Sequence, residues 1–223
     1  MRGFARSLAQ GAVVGLALGA VLAVVAGGYL LVSNSNTVSD PTKIVVVFAI
    51  AREDGSPVAH TVAVVRPGAG GPAFYTVDTS ATVGIPGVSE SNLSEAYAYG
   101  GAAGVAKAND GGVVRRGTAW VDVPPAVWEG LVAKGVEVTL TEGFDVFDGE
   151  RFMEFPAGPQ TVPATDLRGL ANGLAYLPLA ERTAVREALA TASMKALLAG
   201  ATVPKGVTTN LSPAAWKVLA EAR

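Results

Sequence analysis

The stretch KIVVVFAIAREDGSPVAHTVAVVRPGAGGPAFYTVD, residues 43–78, decides the fold. Its first nine residues, KIVVVFAIA, are apolar after Lys43 and rich in β-branched side chains, which predicts a buried strand. The turn-forming sequences EDGSP and RPGAGGP separate this run from two more strand-like runs, VAHTVAVV and AFYTV. Two short turns that join three apolar runs predict a meander of three antiparallel strands.

Strand-like and helix-like segments alternate in the rest of the chain. SNLSEAYAYGGAAGVAKA, which begins at Ser91, and PPAVWEGLVAKG predict helices, and AWVDV and VEVTL predict strands. A Gly/Pro loop is expected from residue 79 to Gly87. Further along the chain, FDVFDGERFMEF predicts a hairpin with its turn at Asp148-Gly149. Further helices are predicted at residues 164–175 and 178–199, and at SPAAWKVLAEA with Ser212 as the N-cap. We therefore expect one α/β domain with a mixed central sheet.

The N-terminal region has the character of a membrane segment. No charged residue occurs from Ser7 to Ser39, and residues 11–32 read GAVVGLALGAVLAVVAGGYLLV. A helix of this length crosses about 30 Å of hydrocarbon. The alternative is a secretory signal peptide that is cleaved after Ala26. We expect the uncleaved transmembrane helix, because the apolar run continues past that point.

Flanking charges predict the orientation of this helix. Arg2 and Arg6 precede it, so residues 1–10 are expected in the cytoplasm. Residues 33–42 form a polar linker, and residues 43–223 are then an extracytoplasmic domain.

Composition excludes several classes of function. The net charge is -2, which argues against nucleic acid as the main partner. The chain has no cysteine, so thiol catalysis, cysteine-based zinc sites and disulfides are excluded. Its one histidine, His60, makes a Ser-His-Asp triad or a histidine-rich metal site improbable.

Five short motifs occur in order between residues 77 and 220: VDT followed by GIPG, then SEAYAYGG, GVEV, FPAGPQ and VTTNLSPAAWKVLA. Together with the single N-terminal membrane helix, they resemble the LytR-CpsA-Psr (LCP) family of cell-envelope proteins. The resemblance implies an α/β/α sandwich with a mixed central sheet and a long apolar tunnel for a lipid. It places the chain in the cell membrane of a Gram-positive, actinobacterial cell, with its domain outside.

The resemblance also implies an activity. Family members transfer glycopolymers from a polyprenyl-pyrophosphate carrier to peptidoglycan. In them, arginines hold the pyrophosphate and acids hold Mg²⁺. Such a requirement is physically reasonable, because a pyrophosphate that leaves water needs guanidinium groups and a divalent cation to offset its charge.

This chain departs from the family at charged positions. Where the family carries Arg-Ser-Asp-Thr, residues 58–61 read Val-Ala-His-Thr, and where it carries Pro-Arg-Asp-Thr, residues 76–79 read Thr-Val-Asp-Thr. The closely spaced arginines that precede the family's long helix correspond to Asn172 and Leu174. The two arginines three apart on that helix correspond to Leu179 and Arg182, with Arg186 one turn further on.

The resemblance makes Asp78, Arg182 and Arg186 the candidate catalytic residues, and Asp78 the candidate Mg²⁺ ligand. One carboxylate is a weak Mg²⁺ site. Asp78 also suits a structural turn cap, and two arginines at i, i+4 spacing also suit a solvated helix face.

The candidate lipid- or substrate-binding residues are Tyr97, Tyr99 and His60. Each has a structural alternative: the tyrosines suit core packing as well as a lipid tunnel, and a histidine in an apolar strand is usually a hydrogen-bonded core residue. Arg115 and Arg116 suggest either contact with anionic headgroups or ordinary loop charges.

The loss of charged positions beside retained apolar motifs predicts a degenerate LCP-like protein, a pseudoenzyme. It would bind a polyprenyl-linked lipid or assist active paralogues, with peptidoglycan or other envelope proteins as further partners. Two alternatives remain: an active glycopolymer phosphotransferase with a rearranged site, and a membrane-tethered interaction domain without a lipid site.

Overall fold

The apolar run at residues 43–51 forms the central strand of the domain in a computed structural model of the chain. The structure describes residues 37–52, 54–68, 73–85, 88–113, 115–147 and 151–221. In these residues the strands are β1 Lys43–Ala51, β2 Pro57–Arg66, β3 Ala73–Val77, β4 Thr82–Ile85, β5 Val88–Asn92, β6 Thr118–Val123, β7 Val136–Leu140, β8 Phe144–Phe147, β9 Phe152–Phe155, β10 Gly158–Val162 and β11 Thr208–Thr209. The α-helices are α1 Gly101–Asn109, α2 Pro125–Leu131, α3 Leu167–Gly173, α4 Leu179–Leu197 and α5 Pro213–Glu221, and 3-10 helices cover residues 95–99, 164–166 and 174–176.

The main sheet is mixed, as the sequence predicts. Its strand order is β11-β6-β1-β2-β3, and β1, β2 and β3 form the expected antiparallel meander. β6 pairs with β1 in parallel, because the chain crosses over through the β4–β5 hairpin and α1 before it returns to the sheet.

Successive side chains of β1 point to opposite faces of the sheet, and both faces are buried. Val45 and Val47 pack with α1 and the 3-10 helix at residues 95–99. Ile44, Val46 and Phe48 pack on the other side, with helices α2 to α5 and the small sheets formed by β7 to β10. Because both faces are covered, β1 is apolar along nearly its whole length.

Two local predictions are confirmed, one for the C-terminal helix and one for the hairpin. The C-terminal helix has the expected N-cap, because the Ala215 backbone N–H donates to Ser212 Oγ at 3.1 Å. The hairpin at residues 144–155 is confirmed by the pairing of β8 with β9, although its turn at 148–150 lies outside the described residues.

Two predictions for residues 79–109 were wrong. The segment expected as a loop before Gly87 contains β4, which pairs with β5. The helix expected from Ser91 is instead the end of β5, a 3-10 helix and then α1. The helical region starts later because Asn92 Oδ1 accepts hydrogen bonds from Ser94 Oγ at 2.7 Å and from the Glu95 N–H at 3.1 Å, which is the side-chain-to-backbone bonding that favours a turn.

The membrane helix expected at residues 11–32, and the alternative cleavage after Ala26, lie outside the described residues. Within residues 37–221, as far as they are described, no helix has the length and apolar character that a membrane crossing requires.

Candidate functional site

A β-bulge in β2 sets the position of His60. Phe48 of β1 pairs with Thr61 and Ala49 pairs with Ala59, so His60 is the extra residue between them. Such bulges redirect a side chain without ending the strand. The His60 ring stacks on Trp128 with 5.9 Å between ring centroids, and its Nδ1 lies 2.9 Å from Thr61 Oγ1.

Trp128 is a fixed platform for this ring. It is buried in α2, and its indole Nε1–H donates to Ser193 Oγ of α4 at 2.6 Å. A buried indole with its N–H satisfied keeps one orientation. The contact therefore connects the His60 bulge to the long helix α4.

Asp78 follows β3 directly and meets α4 through an ion pair. Arg186 Nη1 lies 2.8 Å from Asp78 Oδ1. The same oxygen accepts hydrogen bonds from the Ser80 backbone N–H at 3.0 Å and from Ser80 Oγ at 2.7 Å. Asp78 is thus both a turn cap and the partner of a helix arginine. Ser80 was not singled out from the sequence, although an acid two residues before a serine is a common turn signal.

Asp78, Arg186 and His60 form a cluster in which the one negative and the one positive charge cancel. Burial acts to raise the pKa of Asp78, but the hydrogen bonds from Ser80 and the charge of Arg186 outweigh it and hold the pKa below its usual range. Burial first, and the nearby Arg186 second, lower the pKa of His60 to about 4. Near neutral pH the cluster therefore contains one carboxylate, one guanidinium and a neutral imidazole.

Arg182 makes different contacts. Its Nη2 donates to the backbone carbonyls of Ala175 and Leu177, both at 3.1 Å, and among the described residues its buried Nε has no hydrogen-bond partner. Leu179, which the resemblance matches to the other arginine of this helix, is 68% exposed. The structure thus brings Asp78 and Arg186 together, while Arg182 caps the end of a neighbouring 3-10 helix.

The two candidate tyrosines lie apart from His60. Tyr97 is buried with the sheet face opposite to Trp128, and its hydroxyl donates to Asp122 Oδ1 at 2.7 Å. Tyr99 is 60% exposed. Tyr97 therefore lies on the sheet face opposite to the one that the His60 ring contacts, and Tyr99 borders a separate cavity with Gly84 and Lys107.

Asp122 is a buried acid that is not among the candidate residues from the sequence. It is 3% exposed, and it accepts hydrogen bonds from the Tyr97 hydroxyl and, at 3.4 Å, from the Ala102 backbone N–H. Burial raises its pKa above the usual range despite these two donors. The only signal in the sequence was one acid within the strand AWVDV.

The donor set around Asp78 does not suit Mg²⁺. Asp78 Oδ1 already accepts three hydrogen bonds, one from Arg186 and two from Ser80. The neighbouring His60 would be a nitrogen ligand, whereas Mg²⁺ prefers oxygen. Within the described residues, no group of three or more histidines and acids could hold a metal ion.

Two cavities bear on ligand binding. A cavity of about 390 Å³ is bordered by Trp128, Arg151 and Arg168, and so it adjoins the platform of His60. Neither arginine is among the candidates from the sequence; Arg168 lies shortly before Asn172, which the resemblance matches to a family arginine. A mainly apolar cavity of about 230 Å³ lies between α5 and the first residues of β1.

The comparisons with known proteins place the fold. Neither a protein-family model nor a curated protein matches the chain. A LytR-Csp2A-Psr enzyme from Actinomyces oris is 17% identical, with a TM-score of 0.54 over 82% of this chain and 77% of that one. B. subtilis TagV is 13% identical, with a TM-score of 0.53 over 82% and 79%. TagT bound to LI-WTA is 16% identical, with a TM-score of 0.52 over 82% and 76%.

These structures share the mixed α/β architecture and the central mixed sheet described above, and they span most of the domain. The chain therefore has a LytR-CpsA-Psr-like fold.

Proposed function

We propose that this chain is an extracytoplasmic protein of cell-envelope biogenesis, anchored in an actinobacterial cell membrane by one helix at residues 11–32. It acts in the attachment of polyprenyl-linked glycopolymers to peptidoglycan but is impaired as a transferase. The shared fold supports the envelope role, and TagT bound to LI-WTA supports a polyprenyl-linked glycopolymer as the type of ligand. The observation that carries the impairment is the ion pair between Arg186 and Asp78.

The ion pair matters because a pyrophosphate carries two or three negative charges at a site that excludes water. It is held only where unpaired cations offset the cost of removing it from water, which is several kcal/mol per ion. Here Asp78 neutralises Arg186, His60 is neutral with a pKa of about 4, and Arg182 donates to two carbonyls. The three groups Asp78, Arg186 and His60 thus have no net charge, and Arg182 leaves a single positive charge, held by two carbonyls, against the two or three negative charges of a pyrophosphate.

The apolar cavity favours an assisting role over a lipid-carrying one. Its volume of about 230 Å³ lies below the range of about 300–1,000 Å³ that is typical of small-molecule sites. A long prenyl tail needs more space than this cavity provides, and the larger cavity of about 640 Å³ beside α4 has the polar side chains Glu137, Thr139 and Gln160 in its lining. The chain would therefore act with catalytic paralogues in the same membrane.

An active transferase with a rearranged site is the second candidate. Arg151 and Arg168 border the 390 Å³ cavity beside Trp128, where they would supply guanidinium groups in place of those lost from β2 and β3. Arg151 already pairs with Asp166, so an incoming phosphate would have to displace that carboxylate.

A transfer assay separates the two candidates. The full chain is incubated in vesicles with a polyprenyl-pyrophosphoryl glycan and peptidoglycan, beside the Actinomyces oris enzyme as the positive control. We expect no covalent attachment above the protein-free background. Attachment that is lost in Arg168→Gln, and retained in the matched helix variant Arg182→Gln, would establish the rearranged transferase.

A further inference from the structure

Within the described residues, the outer face of the β8–β9 hairpin has no partner; we call it the acidic-aromatic face, and it consists of Asp145, Phe147, Phe152 and Glu154. In the strand register Phe147 lies opposite Phe152, and Asp145 lies opposite Glu154. The phenyl rings are 5.1 Å apart between centroids, and the two side chains are 51% and 80% exposed.

This arrangement is unfavourable for an isolated hairpin. Like charges directly opposite each other destabilise an antiparallel pair, and exposed phenyl rings lose the benefit of burial. Within the described residues, neither Asp145 nor Glu154 has an ion-pair partner. Val146 and Met153 on the inner face already attach the hairpin to the core, so the outer face is not needed for that purpose.

A complementary surface exists elsewhere on the same chain. The loop between α1 and β6, which we call the basic loop, exposes Val113, Arg115 and Arg116, with Val113 62% exposed. Within the described part of the chain, neither arginine forms an ion pair. The basic loop thus offers two cations and one apolar side chain, and the acidic-aromatic face offers two anions and two aromatic rings.

We propose that the acidic-aromatic face binds the basic loop of a second copy of this chain. Val113 covers the phenyl pair, and the two guanidinium groups meet Asp145 and Glu154. Guanidinium groups suit such a face because they pair with carboxylates and also stack on aromatic rings. The contact joins two different surfaces of the chain. Two copies can therefore form it twice in a closed dimer, or many copies can form it once each in an open filament. This inference is independent of the proposed function.

Cysteine crosslinking tests the contact, because the chain has no cysteine of its own. Two tagged copies of the full chain, one carrying Val113→Cys and the other Phe152→Cys, are placed together in vesicles of neutral lipid and oxidised mildly. The matched control replaces Val113→Cys with Leu179→Cys, at a site that is 68% exposed. We expect disulfide-linked pairs with Val113→Cys and only background with Leu179→Cys.

Reversing one charge on each of the two surfaces makes the test specific. Glu154→Arg on the face, or Arg116→Glu on the loop, should each reduce crosslinking about tenfold, and the two together should restore it. Both positions are exposed, so the fold should tolerate each change. Equal crosslinking at residues 113 and 179, or a double variant that stays at background while its circular dichroism is unchanged, would overturn the proposal. So would an absence of crosslinks together with binding of the basic loop to anionic vesicles, since the loop's partner would then be a lipid headgroup.

Discussion

The titration of His60 should destabilise the domain in acid. Its pKa is about 4 in the folded chain, against 6.5 for an unperturbed histidine. Between these values the unfolded chain binds a proton that the folded chain does not, so the free energy of unfolding falls as the pH falls from about 6.5 to about 4. The loss amounts to about 3 kcal/mol. Above about pH 6.5 both states are neutral, and this contribution no longer changes.

The assay compares urea unfolding of residues 36–223, which form one compact unit, with that of the same segment carrying His60→Gln. Subtracting the two pH profiles removes the contribution of the carboxyl groups, and the difference should show the loss of about 3 kcal/mol. Because the chain has one histidine, its imidazole NMR signal also reports the pKa directly. Parallel pH profiles and a pKa near 6.5 would refute the argument from burial.

Arg186→Met separates the two causes of this low pKa. Removing the neighbouring charge should raise the pKa of His60, yet burial, the larger cause, should keep it below 6.5. Arg182→Met is the matched control on the same helix and should leave the His60 signal unchanged. A pKa that does not respond to Arg186→Met would contradict the proximity of the two groups.

Two other variants test buried hydrogen bonds. Trp128→Phe leaves the Ser193 hydroxyl without its indole donor and should lower the free energy of unfolding by about 1–3 kcal/mol, measured in urea; the loss should shrink in a Ser193→Ala background. Tyr97→Phe removes a donor from the buried Asp122 and should raise the pKa of that carboxyl further. Its destabilisation, about 1–3 kcal/mol, should therefore be greater at neutral pH than in acid, and an equal loss at both would contradict a charged Asp122.

The central sheet could be predicted from the sequence because its signals are local. The unbroken apolar run at residues 43–51 indicates a strand that is buried on both faces, and short turns fix its antiparallel neighbours. Ser212 followed by Pro213 was sufficient to locate the start of α5. By contrast, the start of the helical region after β5 depends on the side chain of Asn92, which competes for the backbone N–H groups there.

The candidate site was predictable only in part, because its geometry depends on contacts between distant segments. The resemblance placed Asp78 and Arg186 on the candidate list, but the 2.8 Å between them follows from the packing of α4 on the sheet. The bulge that redirects His60 onto Trp128 depends on strand register, which single-residue propensities do not encode. Arg182 could not be distinguished from Arg186 by spacing, and only the position of the 3-10 helix at residues 174–176 directs it to carbonyls.

Restoring a positive charge beside Asp78 would test whether missing charge is the reason for the impaired binding of a pyrophosphate. Val77 precedes Asp78, at the position where the resemblance expects an arginine, and it is only partly buried. Val77→Arg should strengthen the binding of a polyprenyl pyrophosphate, and Val77→Gln, which adds polarity without charge, should not. Equal behaviour of the two variants would mean that missing charge is not the cause.

The most direct measurement compares the binding of a polyprenyl pyrophosphate, the matching monophosphate and the free alcohol to the full chain, with and without Mg²⁺. Our prediction is no preference for the pyrophosphate, and no effect of Mg²⁺, because Arg186 is neutralised by Asp78 and His60 is uncharged. Tight binding that is selective for the pyrophosphate and dependent on Mg²⁺ would contradict it, since the chain would then hold a working site for the charged carrier.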